Sequence, residues 1–211
     1  MGKKWLAAGL GPPLALLALA FGPLAAQGSG KDQISFNLVR SKAAAAAKCL
    51  PKVSANVTIQ NRNLQQPVEM LTLRAHGLPP NTDFDFFVIQ VPNAAFGLSW
   101  YQGDFDTNKS GTGQQTYVGR FSIETFIVAP GTAPAPNVFS KPPFPDATSN
   151  PPTAPVQIYH LGLWFNSPKD AAKAGCPATV TPFNGEHNAG IQVLSSQNFP
   201  NDHGPLRSFG Q

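Results

Sequence analysis

The sequence is poor in charged residues. Aspartate, glutamate, lysine and arginine together make up 12% of its 211 residues, about half the share that is usual in soluble proteins. This scarcity excludes a coiled coil, a helical bundle and a charge-rich disordered tail, because each of these needs many charged side chains. The basic residues are also scattered singly, whereas a nucleic-acid-binding surface needs clustered lysine and arginine. The sequence therefore predicts no nucleic-acid partner.

Cysteine is nearly missing as well, with only Cys49 and Cys176 in the chain. An even number of cysteines in an oxidising compartment favours a disulfide. A reactive thiol pair or a metal site is the alternative, but neither cysteine lies in a CxxC motif or beside a histidine. We therefore expect one Cys49–Cys176 bridge.

Long apolar runs are also rare, and the one near the start is short. Lys3 and Lys4 precede the apolar stretch Leu14–Phe21, and small residues follow at 23–26. This order is typical of a secretory signal peptide over residues 1–26, with an uncleaved membrane anchor as the alternative. We expect a mature chain of residues 27–211 that has no membrane span and is secreted or associated with the cell envelope.

What the chain does have is short stretches typical of β-strands, in which apolar and polar residues alternate or apolar residues continue. Turns rich in glycine and proline separate these stretches. The pattern predicts a mostly β fold, an antiparallel β-sandwich of immunoglobulin-like type, in a single domain over 27–211. The predicted strands cover residues 34–38, 53–59, 68–74, 83–91, 117–128, 156–165 and 191–194.

Two segments interrupt this pattern. Residues 129–155 contain nine prolines, and because proline donates no backbone hydrogen bond, we expect a proline-rich surface excursion there. The segment could separate two domains, but each side has too few strands to fold alone. Ser167-Pro168-Lys169-Asp170 predicts the start of one short helix that ends at Gly175. The alanine run 43–47 is compatible with a helical turn or with an extended linker.

Five segments resemble a group of uncharacterised exported bacterial proteins, and the resemblance covers most of the mature chain. It implies export, but it carries no established activity and therefore transfers no site residues. The turn Leu78-Pro79-Pro80-Asn81-Thr82 is also similar to turns of fibronectin-type and immunoglobulin-like sandwiches, which implies a compatible architecture only. The five segments are HGLPPNTDFDFFVIQVP, GLSWYQGDFDTN, FSIETFIVAPG, YHLGLWFNSP and TPFNGEHNAGIQVL.

Two segments are candidates for ligand binding. Residues 96–104 read as a loop in which aromatic side chains could stack on a sugar ring or an apolar partner while polar groups orient it. Equally, Phe96 and Trp100 could close one end of the sandwich. The second candidate is a polar loop around His187. The candidate binding residues are Trp100, Tyr101, Gln102 and Asp104 in the first segment and Asn184, Glu186 and His187 in the second.

Catalytic and metal-binding patterns are weak. The sequence has no GxSxG or SxxK motif, and its four histidines (76, 160, 187 and 203) are not spaced as metal ligands. Asp104, Asp106, Asn108 and Ser110 alternate as calcium ligands do, but a polar hairpin tip explains the same pattern. A copper site that uses Cys176 and His187 would compete with the disulfide. Six acidic residues could form a hydrolase pair, but no spacing selects two of them.

We therefore expect no enzymatic activity, no cofactor and no bound metal. The favoured function is a secreted, non-catalytic structural or binding module of the extracellular space or cell envelope, with a carbohydrate or an envelope protein as the possible partner. The alternative is a metal-dependent or hydrolytic enzyme that uses His187 and Glu186.

Overall fold

The computed structural model describes residues 32–63, 68–93, 96–123, 125–128, 154–182 and 187–209, without the side chains at 62, 63, 123, 125–128 and 154–157. The predicted signal peptide and residues 129–153 of the proline-rich segment lie outside these ranges. Within them, no helix has the length and apolar character that crossing a lipid bilayer requires.

The described ranges are dominated by antiparallel strands, which confirms the mostly β prediction. Two short α-helices, α1 (Lys42–Ala46) and α2 (Pro168–Lys173), and two 3₁₀ turns (Phe121–Ile123 and Pro205–Ser208) accompany them. The strands are β1 (Gln33–Arg40), β2 (Ser54–Asn63), β3 (Val68–His76), β4 (Asp83–Ile89), β5 (Ser99–Asp106), β6 (Gly113–Gly119), β7 (Thr125–Val128), β8 (Ala154–Gln157), β9 (His160–Phe165) and β10 (Gln192–Ser195).

Eight strands form one antiparallel sheet in the order β5-β4-β9-β10-β1-β2-β3-β6, and β7 pairs with β8 separately. The end strands β5 and β6 lie side by side, and the Tyr117 hydroxyl on β6 donates to the Asp104 carbonyl at 2.9 Å. The sheet is therefore nearly closed into a barrel. The predicted two-layer, immunoglobulin-like sandwich is not confirmed, because the eight strands belong to a single sheet.

Two predicted strands are interrupted, and one strand was not predicted. The 117–128 stretch bends after Gly119 into the 3₁₀ turn, and the 156–165 stretch breaks at residues 158–159 between β8 and β9. Residues 99–106, which the sequence predicted to be part of a loop, form β5. A register shift between its pairs with Phe86 and Phe87 interrupts the alternation that would have identified this strand.

The core forms from the inward-facing side chains of both halves of the sheet. On β4, Phe84, Phe86 and Val88 are fully buried. The Phe84 ring packs against Phe165 with centroids 4.9 Å apart, and the Phe86 ring stacks on Tyr117 from β6, also at 4.9 Å. The Phe84–Phe165 contact joins the neighbouring strands β4 and β9, and the Phe86–Tyr117 contact holds β4 against β6.

Helix α2 begins where its residues predicted it. The Ser167 Oγ accepts a hydrogen bond from the Asp170 backbone N–H at 3.1 Å, which satisfies one free donor of the first turn. Cys49 follows α1 and Cys176 follows α2, and the two form the predicted disulfide, with Cα atoms 5.3 Å apart. The bridge closes a segment of 127 residues, and chain-entropy reasoning assigns it roughly 3–5 kcal/mol of stability.

Candidate functional site

The first predicted group of binding residues lies on β5, at one end of the eight-stranded sheet. Trp100 is 56% exposed and Tyr101 is 38% exposed. Trp100 lies opposite Val88, which faces the core, whereas Tyr101 lies opposite Phe87 on the outer face of the sheet. The two aromatic side chains therefore lie on opposite faces of the strand and do not form one flat platform.

Of the second predicted group, only His187 lies within the described residues, whereas Asn184 and Glu186 lie outside them. The His187 Nε2 is 3.6 Å from the Oδ2 of Asp85 on β4. Asp104 lies directly opposite Asp85 in the β4–β5 register. The structure thus brings His187, Tyr101 and Asp104 to one surface, with Asp85 at its centre.

This surface, called here the acidic face, is formed by four aspartates on the outer side of β4 and β5. Asp83 pairs with Asp106, and Asp85 pairs with Asp104. All four point outward because Phe84 and Phe86, the alternate residues of β4, point into the core. Among the described residues, no lysine or arginine pairs with any of the four carboxylates.

Aromatic side chains adjoin the acidic face. Trp164 on β9 lies directly opposite Asp85, on the side away from β5. The Phe87 ring contacts Tyr101 and Trp164 at centroid distances of 5.5 and 5.3 Å, and Phe96 contacts Trp164 at 5.5 Å. A Cβ atom at Gly162 would lie 2.4 Å from the Trp164 ring. Glycine at this position therefore lets the indole lie against the sheet.

Asp85 is the most unusual ionisable group of the acidic face. Its side chain has no solvent exposure, and neither carboxylate oxygen has a hydrogen-bond partner among the described residues. Burial raises the pKa of Asp85 to about 6; His187 opposes the shift, while Asp104 and Asp83 add to it. The pKa of Asp83 is raised as well, first by burial and then by its hydrogen bond to Asp106.

Tyr101 is held in place by its neighbours. Its hydroxyl donates a short hydrogen bond to Oδ1 of Asp104, and its ring rests on Phe87. Burial and the Asp104 carboxylate raise the pKa of Tyr101, so the phenol remains neutral at physiological pH. Gln102 donates weakly to the Trp100 carbonyl at 3.4 Å.

The other histidines do not join His187. His160 is fully buried; its Nδ1 lies 2.8 Å from the Ser196 Oγ, and its Nε2 lies 3.0 Å from the Pro200 carbonyl. Burial lowers the pKa of His160 to about 4. His76 at the end of β3 has its Nε2 2.8 Å from the Oγ of Ser54 on β2, at hydrogen-bond distance. Within the described ranges, no three histidine, cysteine, aspartate or glutamate side chains converge on a position for a metal ion.

The alternating polar residues 104–110, which resemble calcium ligands, include residues that stabilise the hairpin between β5 and β6. The Asn108 Oδ1 accepts hydrogen bonds from the Ser110 N–H at 2.9 Å and the Thr112 N–H at 3.2 Å. Gly111 adopts a positive φ of 71°, which the tight turn requires. The oxygen of Asn108 thus caps the backbone of its own turn.

Sequence reasoning did not single out Asp85, Phe87 or Trp164. Asp85 was one of six carboxylates without a distinguishing spacing, and alternation placed it on a solvent-facing strand surface. Its neighbours Trp164 and His187 are both far away in sequence. The only local signal was the pair of facing motifs DFDF in 83–86 and GDFD in 103–106.

Comparisons of the chain with protein-family models, with curated proteins and with solved structures return no match.

Proposed function

We propose that this protein is a secreted, non-catalytic binding module of the extracellular space or cell envelope. The observation that supports the proposal best is the exposed indole of Trp100 on an end strand of the sheet, where it is 56% exposed. An exposed indole offers a flat apolar surface with a polar N–H, on which a sugar ring or a partner's apolar side chain can stack. β5 would present Trp100 and Tyr101 along its two faces, so the ligand would wrap around this edge of the sheet.

The rigidity of β5 favours recognition over catalysis. Tyr101 is fixed by Phe87 and Asp104, and β5 is anchored to β4 along its length. A side chain that is already ordered loses little conformational entropy when a ligand binds. This arrangement is suited to a weak but specific contact with an extended partner.

A carbohydrate is the partner that fits these side chains best. One sugar ring can stack on the Trp100 indole, and another part of a glycan that wraps around β5 can donate hydrogen bonds from its hydroxyl groups to the Asp104 carboxylate on the other face. An envelope protein is the other candidate, because the same aromatic and acidic groups are common at protein interfaces.

The proposal can be tested on a glycan array with purified protein, followed by titration calorimetry on the glycans that bind. We expect W100A to weaken binding by about tenfold or more, since a buried aromatic contact contributes on the order of 1–2 kcal/mol. The matched control is V118A, because Val118 on β6 is 58% exposed, pairs with Met70 of β3 and is not one of the candidate binding residues. Equal glycan affinities for W100A and wild type, or no glycan binding by the wild type, would contradict the carbohydrate proposal.

The contact between His187 and Asp85 supports a second candidate, a hydrolytic or metal-dependent enzyme that uses His187 and Glu186. An imidazole beside a carboxylate with a raised pKa can transfer protons. A screen of ester, glycoside and phosphoester substrates with wild type and H187A tests this candidate. Turnover that H187A abolishes would favour it over the binding module.

We also propose that the barrel behaves as two facing layers, β5-β4-β9-β10 and β1-β2-β3-β6. Only Val39 and Arg40 of β1 pair with β10, so the link between the two layers is narrow. Hydrogen exchange that protects the two four-stranded groups as separate units would support this description.

A further inference from the structure

We infer that Asp85 is the anionic group of a binding site for an organic cation, a primary or quaternary ammonium group, with Phe87, Tyr101 and Trp164 as its aromatic walls. This inference rests on the proposed function and deepens it, because it assigns a class of ligand to the acidic face on the outer side of β4 and β5.

The first argument is a buried carboxylate without hydrogen bonds, whose only charged partner of opposite sign in the described part of the chain is His187. Asp85 has no exposed surface, and both its oxygens lack a hydrogen-bond partner among the described residues. An ionised carboxylate in such a place is costly to fold unless a positive group approaches it. His187 lies nearby, but at 3.6 Å its Nε2 is beyond hydrogen-bond distance of Oδ2.

The second argument is the charge of the surroundings. Asp104 faces Asp85 across β5, and the Asp83–Asp106 pair lies two residues further along β4. No lysine or arginine in the described part of the chain neutralises these groups. Four carboxylates on one face create a negative potential that attracts and retains a cation.

The third argument is the aromatic walls. Trp164 is the cross-strand neighbour of Asp85 on β9, and Phe87 follows Asp85 by two residues on the same face of β4. Tyr101 lies opposite Phe87, and its phenol remains neutral. The faces of aromatic rings attract organic cations, and an ammonium group between such rings and a carboxylate gains from both.

The number of available ligands selects an organic cation over a metal ion. Calcium needs six to eight oxygen ligands and zinc needs four donors. Among the described residues, no three acidic or metal-ligating side chains converge on one point. An ammonium group needs only one carboxylate and apolar or aromatic neighbours.

His187 marks the side from which a ligand can approach. Its side chain is 40% exposed, whereas Asp85 beside it is inaccessible. Phe87 and Trp164 are only 8% and 4% exposed, so an ammonium group would reach Asp85 by taking the place of the imidazole next to Oδ2. We therefore expect His187 to turn aside when the cation binds.

The test is a titration of the full chain at about pH 7.5, where Asp85 is ionised, with tetramethylammonium and with glucosamine. Their neutral controls are neopentyl alcohol and N-acetylglucosamine. The readout is the two-dimensional NMR spectrum, in which the Trp164 indole and the Asp85 amide report on the site. We expect saturable shifts with both cations and none with the neutral molecules.

Matched variants test the role of Asp85. D85N should weaken cation binding by about tenfold or more, whereas D202N, which removes an exposed carboxylate outside the acidic face, should change the affinity by less than about threefold. Absence of saturable shifts in folded wild type, or equal affinities for D85N and wild type, would overturn the inference. So would tighter binding of calcium that displaces the organic cation.

The same variants separate the two proposals. If W100A loses glycan binding while D85N keeps ammonium binding at the wild-type level, the cation site is wrong and the binding module stands. If no glycan binds but D85N abolishes ammonium binding, the cation site stands without the carbohydrate.

Discussion

Two buried ionisable side chains on the same outer surface of the sheet have opposite surroundings. His160 on β9 lies opposite Ile89 of β4, and Asp85 on β4 lies opposite Trp164 of β9. Asp85 and Ile89 are four residues apart on one strand, so Asp85 and His160 share the outer face. The His160 ring has a partner for each nitrogen, namely the Ser196 hydroxyl and the carbonyls of Pro200 and Asn201. Asp85 has no hydrogen-bond partner among the described residues for either oxygen.

This difference separates a structural group from a functional candidate. The Leu161 N–H donates to the Ser196 Oγ at 3.1 Å, so the Ser196 hydroxyl is free to donate to Nδ1 of a neutral His160. That network ties the turn after β10 to β9. Asp85 makes no hydrogen bond and has one contact with a group of opposite charge, the exposed His187. Its burial costs stability, which is typical of groups retained for binding or catalysis.

The largest effect should come from breaking the His160 network. H160A removes a buried ring and leaves the Ser196 hydroxyl and two carbonyls without their partner, so we expect a loss of about 3–5 kcal/mol in the free energy of unfolding. Urea denaturation followed by fluorescence measures it. The control is H76A, which removes an exposed histidine with one hydrogen bond to Ser54 and should cost less than about 1 kcal/mol. Similar losses in both variants would mean that burial of His160 contributes little.

The pH dependence of stability should also distinguish His160 from Asp85, because protonation of His160 lowers the free energy of unfolding and protonation of Asp85 raises it. The pKa of His160 is lower in the folded state, about 4 against 6.5. Its stabilising contribution is therefore complete above pH 6.5 and is lost as the pH falls towards 4. The pKa of Asp85 is raised from 3.8 to about 6, so its protonation stabilises the folded state as the pH falls over nearly the same range.

We expect these two contributions to offset one another in the wild type and to separate in D85N. Between pH 7 and pH 4, the free energy of unfolding of D85N should fall by about 3 kcal/mol more than that of the wild type. Denaturation curves at pH values across this range measure the difference. Parallel pH profiles for the two proteins would show that Asp85 titrates normally.

At neutral pH, D85N should be more stable than the wild type. The substitution keeps the shape of the side chain and removes a buried charge, so we expect a gain of about 1–3 kcal/mol in the free energy of unfolding. D106N is the control, since Asp106 is exposed and its replacement should have little effect. A loss of stability in D85N would place Asp85 among the structural groups, together with His160.

The smallest effect should come from His187. Its side chain is 40% exposed and lies 3.6 Å from Asp85, so H187Q should change stability by less than about 1 kcal/mol. The same substitution should raise the pKa of Asp85, because His187 holds it down. Carbon-detected NMR of the Asp85 carboxyl measures this pKa, and an unchanged value would show that the two groups are not coupled.

Local sequence signals predicted much of the fold. The alternation in 54–59 and 68–74 identified β2 and β3, and Ser167 with Pro168 and Asp170 identified α2, because cap and strand patterns act over a few residues. The disulfide followed from there being only two cysteines. The barrel-like closure could not be predicted, since it depends on how far β5 and β6 curve towards one another.

The candidate site was predicted less well than the fold. Trp100, Tyr101 and Asp104 were identified as a group, but as a loop, because the irregular register hid the strand. Asp85 has the same local pattern as the more exposed Asp83. Only the placement of Trp164 and His187 against it, through contacts between residues distant in the chain, distinguishes the two.

The position of β1 has a consequence for how the molecule can assemble. β1, near the start of the described chain, pairs with β10, near its end, at the middle of the eight-stranded sheet. A chain that has not yet delivered residues 192–195 can form the neighbouring hairpins but cannot join β1 to β10. Because this pairing joins residues that are far apart in sequence, we expect it to form late in folding.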